Sequence, residues 1–126
     1  MADLIELTAP LHGDFVPVAR LIVGGIAAAA EMGFDEMDDL QLAIERLQAE
    51  AGRQERLTLC FWLSPGRVRV RIGPLRESGM ADALQREPVP GDLTLRRVLD
   101  TVVDSYGVEK ADGGDLYVRV VKLVRG

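Results

Sequence analysis

The chain has little of what secreted, metal-binding and membrane proteins rely on. Cys60 is its only cysteine and His12 its only histidine, so no internal disulfide can close and no Cys/His cluster can hold zinc. The longest apolar run, Leu21 to Ala30, falls far short of the roughly 20 residues that a spanning helix needs. Met1-Ala2-Asp3 opens without the basic residues of a secretory leader. These absences predict a cytoplasmic chain with no membrane segment. Positive charge is also in deficit: a formal net charge of −5 opposes attraction to a phosphate backbone and argues against direct nucleic-acid binding.

What is present describes one folded domain over residues 1–126. Hydrophobic residues at 48% and charged residues at 28% sit near the globular average, and a chain of this length buries about two-thirds of its unfolded surface. Leu4-Ile5-Glu6-Leu7-Thr8 alternates and reads as a short strand. Asp14 is placed to cap a helix with Pro17 in its first turn and Gly33 as its stop. Gly24-Gly25 inside that helix costs about 1–2 kcal/mol against alanine, which suggests close packing on another backbone as compensation. A second helix is expected from Asp35, with Asp38 as a weak capping box, Met37, Leu40, Ile44, Leu47 and Ala51 as its buried stripe, and Gly52 at its end.

Leu57–Leu63 and Arg67–Ile72 read as strands joined by the turn Ser64-Pro65-Gly66. Val68, Val70 and Ile72 share one face and Arg67, Arg69 and Arg71 the other, so one side of the sheet meets water. The arginine stripe suits an exposed strand face that must resist aggregation, or an acidic partner. A long connection from Gly73 to Gly91 holds one short helix near Met80–Leu84. Asp92 is expected to cap a third helix, Leu93–Ser105, and Gly107 and Asp112-Gly113-Gly114 punctuate a closing hairpin that ends in Leu116–Val124. The order β, α, α, β, β, loop, α, β, β predicts an α+β two-layer sandwich with helices on one face of a mostly antiparallel, mixed sheet.

Three stretches in this order carry a family resemblance: Phe15–Ala27, Asp38-Asp39-Leu40-Gln41-Leu42-Ala43-Ile44, and Leu99–Asp104 joined to Gly113–Leu123. Together they resemble the anti-sigma-factor serine kinases within the histidine-kinase-like ATPase superfamily. The resemblance implies that fold, a first-helix arginine (here Arg20) on the surface that docks sigma factor or antagonist, and pairing of two copies.

The residues that handle ATP in that family are replaced. Its catalytic glutamate and its magnesium-binding asparagine, four residues on, correspond to Arg46 and Glu50; an arginine is always protonated and accepts no proton. The strand that should deliver an adenine-binding aspartate runs Arg71-Ile72-Gly73-Pro74-Leu75 without an acid. The Gly-x-Gly that admits phosphates is Leu93-Thr94-Leu95. Arg46, Glu50, Gly73, Leu93 and Leu95 therefore mark a vestigial pocket, with no catalytic residue, cofactor or metal expected. The reading is a noncatalytic anti-sigma-factor-like interaction module whose partner is a sigma factor or an antagonist, with a possible homodimer. An active serine kinase, or a sensor that binds a small anion through Arg46, are its alternatives. Arg46 and Glu50 also have the spacing of an ordinary helical ion pair, and Cys60 that of a small core filler.

Overall fold

A hairpin organises the sheet. In the computed structural model, which describes residues 3–9, 16–51, 57–76, 84 and 94–125, β2 (Leu57–Ser64) and β3 (Arg67–Arg76) pair antiparallel across Pro65-Gly66. Proline presets a negative φ at the first turn position, and Gly66 supplies φ +76° at the second. The register sets Phe61 against Val70 and Leu59 against Ile72, and all four are buried on one face. Period-two alternation then sends Trp62, Cys60, Arg69 and Arg71 to the other.

β1 (Asp3–Ala9) adds on the β2 side, with Ile5 opposite Phe61 and Leu7 opposite Leu59. On the other side β5 (Asp115–Leu123) pairs with β3, and β4 (Ser105–Lys110) closes the edge. The order is β1-β2-β3-β5-β4. Every pairing among the described residues is antiparallel, so the sheet is not mixed as expected: β3 and β5 are joined through α3 and β4, and β5 returns beside β3 in the opposite sense.

Among the described residues the helices α1 (Val16–Ala29), α2 (Phe34–Ala51) and α3 (Leu95–Val102) cover the inner face. Ala19, Val23 and Ile26 of α1, Leu40, Ile44 and Leu47 of α2, and Val98, Leu99 and Val102 of α3 meet the inner side chains of the strands in one core. Each fully buried leucine, isoleucine or phenylalanine contributes about 1.5–3 kcal/mol over its exposed state. The two-layer α+β sandwich follows from this one-sided burial.

Boundaries moved where local signals competed. α1 stops at Ala29, not at Gly33, because Glu31 turns left-handed at φ 60°. The chain there bonds Glu31 N–H to Ala28 O and Met32 N–H to Ala27 O, the paired bonds of a helix C-terminus. Gly33 opens α2: its N–H donates to Glu36 Oε1 at 3.0 Å, so Glu36, not Asp38, completes the cap. α3 ends at Val102, since Val103 is extended at φ −124°, ψ 161°, and Ser105 already belongs to β4. α3 starts at Leu95, not Leu93, and Thr94 caps it in place of the expected Asp92, its Oγ1 accepting from Arg97 N–H. The expected Asp14 cap, Gly52 and most of the Gly73–Gly91 connection lie outside the described residues. Within that connection, β3 runs on to Arg76 through a register shift between Ile72 and Leu75, and Leu84 is buried in the core.

Candidate functional site

The described residues expected to mark a vestigial pocket fall on three elements, α2, β3 and α3. Arg46 and Glu50 occupy the last turns of α2, and no ion pair joins them. The spacing that permits such a pair leaves Arg46 Nε buried without a hydrogen-bond partner and Glu50 exposed. Leu95 is buried at the start of α3. Gly73 lies in β3, where an added Cβ would sit 2.5 Å from Tyr117 Cδ1 and 3.0 Å from Leu116 O; the glycine makes room for a tyrosine ring. Leu93 lies outside the described residues. Two open hollows are lined by described residues, one of about 430 Å³ beside Phe34, Asp39 and Lys122 and one of about 490 Å³ beside Arg71, Glu109 and Tyr117. Neither includes Arg46, Glu50, Gly73 or Leu95. No group of three or more His, Cys, Asp or Glu suited to a metal ion occurs among the described residues.

Arg20 is exposed on α1 and already engaged. Its guanidinium donates to Glu45 of α2 and lies 3.8 Å from Asp38, while its carbonyl accepts from Gln41 Nε2 at 3.1 Å. These contacts fasten α1 to α2 and fix the direction of the arginine. Around it α1 is apolar on its outward side: Leu21 is 77% exposed and Val18 44%, and Pro17, Gly25, Ala28 and Ala29 are exposed too. A surface helix normally turns polar residues outward, yet Arg20 is the sole charged residue in α1. The glycine pair does not answer to a close backbone as expected. A Cβ on Gly24 would meet Gln41 and Met37 side chains at 3.6 and 4.0 Å, and one on Gly25 would meet nothing within 4 Å. Sequence reasoning marked Arg20 but not the exposure of Val18 and Leu21, which look like core residues until the packing angle of α1 is known.

The far side of the sheet carries the arginine stripe. Arg69 lies over the Trp62 ring at 4.5 Å, and Arg71 over Tyr117 at 4.3 Å and Trp62 at 5.8 Å. Arg119 Nη1 meets Glu109 Oε1 at 3.3 Å, and Arg71 Nη1 is 3.9 Å from Glu109 Oε2. Cys60 is buried beneath this face, with Sγ 3.6 Å from Glu6 Oε1. Burial first, and then the neighbouring Glu6 carboxylate, push its thiol pKa up, which keeps it protonated. The expected core filler is thus buried, but on the outer face between Glu6 and Arg71 and not in the helix-covered core.

No helix among the described residues is long and apolar enough to cross a membrane. Comparison with protein-family models and with curated proteins gives no match for this chain.

Proposed function

We propose that this chain is a noncatalytic regulatory module of the anti-sigma-factor type, acting in the cytoplasm and binding a sigma factor or its antagonist through α1. The observation that carries the reading is the outward face of α1, where exposed Val18, Leu21 and Gly25 surround an arginine already aimed by Glu45 and Asp38. Such a face gains from being covered: a large aliphatic side chain that passes from exposed to buried contributes about 1.5–3 kcal/mol. The exposed glycine and alanines let a partner helix approach closely, and a second copy of this chain is one such helix. The substitutions Arg46 and Glu50 support the noncatalytic part of the proposal, since phosphoryl transfer needs a placed metal and a proton acceptor or positioning group.

The test uses the purified chain against each purified sigma factor and antagonist encoded with it, read by biolayer interferometry. Leu21→Glu is expected to abolish binding of the cognate partner while the far-UV spectrum and the thermal midpoint stay unchanged. Undiminished binding by Leu21→Glu would overturn the docking face. Calorimetry with Mg-ATP to about millimolar ligand should be silent; micromolar binding would return the serine-kinase reading to first place.

A further inference from the structure

The outer face of the sheet concentrates four arginines in a chain whose net charge is −5. Arg67, Arg69 and Arg71 follow one another on β3, and Arg119 of β5 stands directly across from Arg71. Like charges opposite each other destabilise a sheet, so the arrangement costs something that a merely hydrophilic face would not. Among the described residues Glu109 is the single carboxylate within 4 Å of any of the four, and it is shared between Arg71 and Arg119. Arg67 and Arg69 have no acidic partner there.

The rings decide what these cations are suited to. Arg69 and Arg71 lie over Trp62 and Tyr117, and a guanidinium held over a ring keeps N–H donors free at its edge. Those donors form the fork that takes a carboxylate bidentately. Holding the side chains in the unbound fold also lowers the ordering cost of association. A strand face that needed charge only to stay in water would be served by loose lysines. Alternate residues on β3 repeat at about 7 Å, and an extended partner segment repeats its same-side groups at the same spacing.

The geometry points to a docking face for an acidic protein segment, laid along β3 so that alternate Asp or Glu carboxylates engage Arg67, Arg69 and Arg71. Glu109 holds the place of one ligand carboxylate in the unbound chain. Nucleic acid fits less well: the net charge repels a polyphosphate, and both rings that would stack on bases carry an arginine. The surface lies on the opposite side of the sheet from α1, so this inference stands or falls separately from the α1 proposal.

Trp62 is the only tryptophan, so its emission reports on this face directly. The protein is titrated with an alternating Glu-Ser peptide of about 12 residues, with a Lys-Ser peptide and a single-stranded oligonucleotide of similar length as comparisons. A saturable change is expected with the acidic peptide alone, weakening as salt is raised through the range where the Debye length falls below about 8 Å. Arg69→Gln and Arg71→Gln should each weaken binding about fivefold, which corresponds to roughly 1 kcal/mol, and Glu109→Gln should tighten it. Arg67→Gln, at an exposed position outside the ring stacks, should weaken it about threefold and serves if either of the other variants fails to fold. Absence of a saturable change, equal affinity in all folded arginine variants, or an oligonucleotide that binds as tightly as the peptide would each overturn the inference.

Discussion

At Glu31 the chain leaves α1 with φ 60°, a left-handed conformation that a residue with a Cβ adopts at a cost of about 1–2 kcal/mol. Glycine pays no such penalty there, although it also loses more freedom on folding. The exposed Glu31 side chain takes part in no hydrogen bond or ion pair that its removal would break. Glu31→Gly is therefore expected to stabilise the protein by about 0.5–1 kcal/mol, seen as a higher urea midpoint with an unchanged slope. A lower midpoint would mean that the left-handed geometry at Glu31 is not what ends the helix. The nearby Gly33 explains why the end was misplaced from sequence. A glycine after an apolar run signals a helix stop, but here it serves the next helix by giving its N–H to Glu36.

At the scale of single elements, α3 depends on the residue that caps it more than on its length. Thr94 Oγ1 accepts from Arg97 N–H at 3.2 Å, and only eight residues follow. Helices this short are marginal without caps and packing. Thr94→Ala should cost about 1 kcal/mol, and Thr94→Ser should recover most of it. Equal stability of Thr94→Ala and wild type in urea denaturation would show that burial of Leu95, Val98 and Leu99 holds α3 alone. The core pattern of α3 was legible in the sequence because spacing of three and four is a local property. Its end was not: Val102 and Val103 continue the apolar spacing, and the extended backbone at Val103 arises where the chain must turn into β4. Gly107 shows the same limit. It reads as punctuation, yet it lies within a strand, where a Cβ would come 3.1 Å from Arg119 Nη2. The arginine stripe on β3 was visible as period two, whereas its ring partners come from Trp62 and Tyr117 on two neighbouring strands. Only the pairing register brings those together.

Across the whole molecule, the C-terminal end of β5 is the point where helices, sheet and tail are tied to one another by charge. Lys122, 7% exposed, donates to Val102 O at the end of α3 at 2.8 Å and to Asp39 of α2 at 3.2 Å. Glu36 at the start of α2 accepts from Arg125 N–H at 2.7 Å, and Asp104 accepts from Leu123 N–H at 2.7 Å and from the Arg125 guanidinium. The Arg125 and Gly33 N–H groups hold the Glu36 carboxyl below its ordinary value of 4.5. Burial works against the Asp104 carboxylate, but the Leu123 N–H and Arg125 outweigh it and hold this group below its ordinary 3.8. A carboxyl whose pKa is lowered on folding gives its full stabilisation above the unfolded value and loses it as pH falls through the folded value. The urea midpoint should therefore change little down to about pH 5 and drop below about pH 4. Glu36→Gln with Asp104→Asn should lower the midpoint at neutral pH and flatten the acid limb, because the groups that titrate differently in the two states are gone. If the double variant and wild type instead lose stability in parallel on acidification, the tie between tail and α2 carries no charge-dependent free energy, and packing around Val102 and Val120 is what closes this end of the molecule.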